Sequence, residues 1–84
     1  MFIVRFNPHC LKFLKKLPLD TNERIINKIR SLQSEPFPTD TKRVVGVKDK
    51  LFRVRVGKYR ILYAVNYSSD EIYIAKIDLR ENVY

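Results

Sequence analysis

The run LFRVRVGKYRILY, residues 51–63, leaves its backbone few choices. Apolar and cationic side chains alternate through it, the two-residue period of a strand with one buried face. Gly57-Lys58 breaks the alternation at the centre and fits a two-residue hairpin loop of the Gly-X kind. A loop there fixes the register: Val56 opposite Tyr59, Arg55 opposite Arg60, Val54 opposite Ile61 and Arg53 opposite Leu62. One face then carries Arg53, Arg55 and Arg60. The other carries Phe52, Val54, Val56, Tyr59, Ile61 and Tyr63.

Like charges directly opposite on a sheet repel. A chain that sets Arg55 against Arg60 recovers that loss from solvent, from nearby carboxylates or from a bound anion. The planar donor fork of Arg suits phosphate and carboxylate. Two readings of the face are open at this point. One is a phosphate-binding surface; the other is a solvated polar face on an ordinary half-buried hairpin, since exposed Arg is common.

Charge favours an anionic partner. The chain holds 17 Lys and Arg against 9 Asp and Glu, a formal net charge of +8 on 84 residues. Such a field points to nucleic acid, a phosphate-rich surface or an acidic protein. The excess runs through the chain and is not a detachable basic tail. The length predicts one small domain over residues 1–84 with one modest core. A lone cysteine, Cys10, excludes an internal disulfide and fits a reducing compartment. With a single histidine beside it, no metal site or cofactor is expected. No apolar run approaches a membrane span and no signal-peptide pattern opens the chain, so a cytoplasmic protein is expected.

The elements follow from local signals. Residues 2–6 (FIVRF) are β-prone. Asn7-Pro8 is a helix start, with Cys10, Leu11, Leu14 and Leu17 at helical spacing and Pro18 as the stop. Asp20 with Glu23 resembles a capping box for a second helix, whose buried stripe is Ile25, Ile26, Ile29 and Leu32. Glu35 precedes Pro36 and is pushed out of the helical region. Residues 41–47 read as a second strand and 48–50 as a polar turn. After the hairpin, residues 71–79 form the last strand. Pairing Tyr67 near Glu71 puts Tyr73, Ala75, Ile77 and Leu79 on the apolar face and Ile72, Ile74, Lys76 and Asp78 on the Arg face, with Asp78 beside Arg60. The alternative register would bury Lys76 and Asp78. The fold class is α+β, in the order β-α-α-β-β-β-β: a mainly antiparallel sheet with the helix pair packed on one face.

Several chemistries are missing. Gly46 and Gly57 are the only glycines, so there is no Gly-rich phosphate loop. No second histidine accompanies His9 for paired acid–base work, and His9 reads as a plain structural or surface residue. Cys10 reads as a small core residue. Lys76, Asp78 and Arg60 read as a surface ion network, and Tyr59, Tyr63 and Tyr73 as core packing instead of stacking platforms, which leaves the Arg face without an exposed aromatic.

The hairpin, followed by a hydrophobic strand and then LRENVY at the C-terminus, resembles the RelE toxins of the RelE/ParE superfamily. The likeness spans essentially the whole chain, including LKKLP in its first third. Its most specific part is GKYRILY, close to the family's G-x-YR-hydrophobic-x-Y signature. The resemblance implies a RelE-like fold and a toxin of a type II toxin–antitoxin pair, a ribosome-dependent mRNA endoribonuclease. In that reaction the ribose 2′-hydroxyl attacks the adjacent phosphate. The implied partners are an acidic RelB-like antitoxin, mRNA in the ribosomal A site and ribosomal RNA. Carried over by motif, the catalytic positions are Arg53, Arg55, Arg60, Arg80 and Tyr84. Lys48, Lys50, Lys58 and Lys76 are expected to contact RNA. The same superfamily includes ParE-like gyrase inhibitors, and a basic RNA-binding module without catalysis is a third reading.

Three departures from the family pattern bear on the chemistry. Arg53 and Arg55 stand where studied members have lysines. A guanidinium holds its proton too firmly to be a good general base, so the change preserves phosphate grip better than proton abstraction. Asp78 lies nearest Arg60, where it either neutralises the guanidinium or serves as the missing base. Tyr84 is the last residue of the sequence, so its own carboxylate is expected near the site.

Overall fold

The computed structural model describes residues 1–46 and 50–79. Strand β1 (Ile3–Phe6) leads into helix α1 (Pro8–Lys15) and helix α2 (Leu19–Ser34). Strands β2 (Lys42–Arg43), β3 (Phe52–Val56), β4 (Tyr59–Asn66) and β5 (Glu71–Leu79) follow. The five strands form one sheet in the order β1-β5-β4-β3-β2. All neighbours are antiparallel except β1, which runs parallel to β5. The expected α+β architecture is therefore the observed one. No helix among the described residues is long and apolar enough to cross a membrane.

The chain uses most of its local signals as expected. The Asn7 side chain caps α1 by accepting from the His9 backbone N–H at 3.0 Å, with Pro8 in the first turn. Helix α2 ends at Ser34, and Glu35 is extended at φ −139. Its start differs from expectation. Pro18 occupies the cap position without a side-chain bond, and Asp20 lies in the first turn instead of forming a capping box with Glu23. There its charge still faces the positive end of the helix dipole. The expected second strand shrinks to Lys42–Arg43. Gly46 follows it at φ +82, a backbone conformation outside the β region; Val47 lies outside the described residues.

Both helices pack on one side of the sheet. Cys10 and Leu14 of α1 and Ile25, Ile29 and Leu32 of α2 meet Val54, Val56, Ile61, Tyr63, Ile72, Ile74 and Ile77 in one core. The hairpin register matches the one that the sequence predicts, with Phe52 opposite Tyr63 and Arg55 opposite Arg60. Gly57 takes φ +59, the left-handed region that a II′-type loop asks of its first residue.

The face assignment of β5 needs correcting. Arg60 pairs with Asp78 and Leu62 with Lys76, as expected, but the register slips between Leu62 and Tyr63, which pairs with Ile74. Ala75 is the extra residue of a β-bulge. Below the bulge Ile72 and Ile74 are fully buried, whereas Tyr73 is 42% exposed. Each single register buries the wrong residues in one half of β5. The bulge uses one register in each half, so the isoleucines enter the core while Lys76 stays exposed. Asp78 remains on the Arg side of the sheet.

Candidate RNA-binding face

The sheet face opposite the helices is built from cross-strand rows. Paired residues share a face, so the register sets Arg55, Arg60 and Asp78 side by side in one row. The next row is Lys42, Arg53, Leu62 and Lys76. Beyond the bulge comes Ala64, Tyr73 and Arg5. The arginines predicted to cluster are thus brought together by β3 and β4, and Lys76 joins them from β5.

Within the first row the charges are unequal. Arg60 Nε donates to Asp78 Oδ1 at 2.9 Å, and each of the two side chains is 13% exposed. Lys76 Nζ lies 3.5 Å from Asp78 Oδ2. Asp78 is therefore held by two cations, and both of its oxygens are engaged. Arg55, opposite Arg60, is exposed. Among the described residues no carboxylate forms an ion pair with Arg53 or Arg55. With Lys42, which is exposed and likewise has no ion-pair partner among the described residues, these two guanidiniums are cations the face offers to a ligand.

Two grooves meet at Arg53. One, of about 550 Å³, is lined by Thr39, Asp40, Lys42, Arg53 and Arg55. The other, of about 310 Å³, is lined by Arg43, Val44, Val45, Arg53 and Arg60. Asp40 brings a carboxylate into the larger groove, yet Lys28 of α2 binds it at 2.9 Å. That hydrogen bond holds the Asp40 carboxyl below its ordinary pKa, so it stays charged. The lysines are more dispersed. Lys76 stands in the second row, Lys58 sits in the exposed hairpin loop, and Lys50 is exposed just before β3. Lys48, Arg80 and Tyr84 lie outside the described residues.

Lys42, Tyr73 and Arg5 of this face escaped the sequence, Arg5 because β1 pairs parallel to β5 beside Tyr73. Lys42 stands opposite Arg53 because β2 pairs there. Alternation alone cannot carry a register across the 44–51 connection. Tyr73 reaches the face through the bulge. The step from Ile72 and Ile74 to Ile77, two residues and then three, was the one signal for it. The expectation that Tyr73 packs in the core, leaving the Arg face without an exposed aromatic, is thereby overturned. His9 is exposed, and Cys10 is buried in the core, where burial pushes its thiol pKa up.

Comparison with known proteins gives a consistent picture. The family described as ParE toxin of the type II toxin–antitoxin system matches residues 4–84. A protein of Methanocaldococcus jannaschii, provisionally named toxin RelE1, is 37% identical over 99% of this chain and 94% of its own length. The archaeal RelE–RelB complex from Pyrococcus horikoshii contains a chain that superimposes with a TM-score of 0.82 at 31% identity, covering 94% of both chains. The RelBE2 toxin–antitoxin complex from Mycobacterium tuberculosis gives 0.80 at 26% identity, covering 94% of this chain and 98% of the other.

Proposed function

This chain belongs to the RelE-like toxins of type II toxin–antitoxin systems, and on that footing we propose that it is a ribosome-dependent mRNA endoribonuclease held in check by an antitoxin. The observation that carries the proposal is the pair of adjoining rows, Arg55–Arg60 and Lys42–Arg53, on a sheet face packed by neither helix.

In the proposed reaction the ribose O2′ forms a bond to the adjacent phosphorus and the bond to O5′ breaks. The 2′-hydroxyl loses a proton, O5′ gains one, and a cyclic phosphate remains. Charge builds on the phosphorus centre in between. Arg53 and Arg55 grip its oxygens in the manner of guanidinium forks. Arg60, already oriented by Asp78, presents its remaining N–H groups from the same row. Arg80 and Tyr84 take the family's terminal positions, Tyr84 for stacking or proton transfer. Lys48, Lys50, Lys58 and Lys76 contact the RNA backbone.

Proton abstraction is the weak link. A guanidinium is a poor base, and Asp78, the carboxylate nearest the cations, is committed to Arg60 and Lys76. Catalysis by this chain therefore rests on charge stabilisation and positioning, with the ribosome orienting the reacting hydroxyl.

The antitoxin is an acidic, RelB-like chain that covers the Arg face. Charge complementarity with a +8 toxin supports an acidic chain on that face, and the toxin–antitoxin complexes of the Pyrococcus and Mycobacterium relatives support a RelB-like partner. The activity belongs in the cytoplasm, with the ribosomes.

The decisive experiment combines purified protein with programmed ribosomes and maps the RNA ends. Cuts within codons are expected, slowed at least about a hundredfold when Arg53 and Arg55 are both changed to Ala, since each such charged contact is worth about 1.5–3 kcal/mol. Intact mRNA defeats the proposal. The ParE description of the matching family favours a second reading, inhibition of gyrase. DNA-damage signalling in cells whose mRNA stays whole would select it.

A further inference from the structure

We propose that Tyr73 is a nucleobase platform, its ring stacking on one base of the single-stranded RNA whose phosphates the arginine rows hold. The proposal rests on the RNA-cleaving reading above and adds a base-binding subsite to it.

Tyr73 is placed by the bulge. In an unbroken β4–β5 ladder it would point into the core. The extra residue at Ala75 reverses the phase of the strand and leaves the phenol ring on the cationic face, 42% exposed. Its cross-strand neighbours are Ala64 on β4 and Arg5 on β1. Ala64 carries only a methyl group, so the ring has a low neighbour on that side. Arg5 forms an ion pair with Glu71, one row further on. The ring pairs among the described residues leave Tyr73 out. A large aromatic at mid-sheet without a ring partner has its π-face available to a ligand.

Spacing argues for RNA as the occupant. Rows along β4 step by two residues, about 7 Å, comparable with the phosphate-to-phosphate step of an unstacked strand. A phosphate at Arg55 and Arg60 and the next at Arg53 and Lys76 carry the following base toward Ala64 and Tyr73. Interleaved cations and an aromatic are what single-stranded nucleic acid uses: charge for the backbone, a ring for the base.

The test is a coupling experiment on programmed ribosomes. Single abasic nucleotides are placed at successive positions on either side of the cut. Cleavage is then compared for the native chain, Tyr73→Leu, which keeps apolar volume without a ring, and Tyr73→Phe, which keeps the ring. At one position the missing base should slow the native chain by about five- to a hundredfold, the range of a base–aromatic stack. Tyr73→Leu should slow cleavage of intact mRNA by a similar factor, and the abasic site should then add nothing. Tyr73→Phe should cut like the native chain.

If the two losses multiply at every position, the platform is overturned while RNA cleavage stands. If Tyr73→Leu leaves cleavage unchanged and instead weakens antitoxin binding, the platform is overturned in favour of a protein contact. If the native chain cuts no mRNA, both this proposal and the reading beneath it fall.

Discussion

Arg60 and Asp78 face each other across β4 and β5 and are joined at 2.9 Å, each with only 13% of its side chain in contact with solvent. What the first row presents is thus one exposed guanidinium, Arg55, beside a neutralised pair. Asp78→Ala leaves a largely withdrawn guanidinium without its carboxylate. Stability should fall by about 1–3 kcal/mol, less than for a fully buried pair because some solvent reaches both groups. RNA binding should move the other way. One more uncompensated cation steepens the dependence of log affinity on log salt by about 0.7 per added phosphate contact. Urea unfolding and a salt titration of RNA binding check both halves. An unchanged slope with unchanged stability would mean that the pair holds neither the fold nor the charge of the site.

Arg55 is the opposite case. It is exposed, directly faces Arg60, and pairs with no carboxylate among the described residues. Arg55→Ala removes a like-charge contact and no packing. Stability should stay within about 0.5 kcal/mol of native or rise slightly. Cleavage on programmed ribosomes should drop at least about tenfold, the loss expected from one charged hydrogen bond of about 1.5 kcal/mol. A variant that melts like the native chain and cuts as fast would remove Arg55 from the site.

These two residues mark how far the sequence could be read. A two-residue loop and strict alternation leave one register, so the Arg55–Arg60 pairing is legible from the residues alone. The Arg60–Asp78 pairing is legible too, because the upper half of β5 obeys the same alternation. Below Ala75 the period breaks. A reading that allows one register per strand must then misplace Ile72, Tyr73 and Ile74. Lys42 is hidden for another reason: a strand of two residues has too little alternation to announce its partner. The start of α2 misleads through composition. Asp20 and Glu23 have capping-box spacing, yet the helix begins at Leu19, one residue before Asp20, and its dipole holds Asp20 instead.

Asp40 ties the connector after α2 to the helix through Lys28. The hydrogen bond from Lys28 is the main cause of its lowered pKa. A carboxyl depressed in the folded state stabilises above its unfolded pKa, about 3.9, and that stability is lost as pH falls through the lower folded value. Asp40→Asn should therefore melt below the native chain at neutral pH. The gap should begin to narrow below about pH 4 and close once pH passes below the depressed folded value, where the native carboxyl takes up its proton. Melting temperatures of both proteins across the acid range read this directly. A gap that stays constant with pH would assign the loss to packing and not to charge.

Tyr63 closes the GKYRILY stretch and works from beneath the site. Its ring is fully buried, its hydroxyl donates to the Pro36 carbonyl at 2.5 Å, and Thr41 Oγ1 lies 3.2 Å away. One side chain of the central strand thereby pins the connector that carries Thr39, Asp40 and, just beyond, Lys42. Tyr63→Phe keeps the ring and removes that pin, so it should lower stability by about 1–2 kcal/mol. It should also weaken RNA binding, although the residue lies on the helix side of the sheet, because one wall of the larger groove loses its anchor. Burial pushes the Tyr63 phenol pKa up, against a smaller opposing effect of the Thr41 hydrogen bond. A group whose folded pKa is raised stabilises below its unfolded value, about 10, and loses that stability as pH rises through the folded value. The native chain should thus weaken above about pH 10, and Tyr63→Phe should weaken less. Alkaline unfolding of the two proteins, followed by phenolate absorbance, checks the sign. Equal alkaline loss in both would move the effect to another tyrosine.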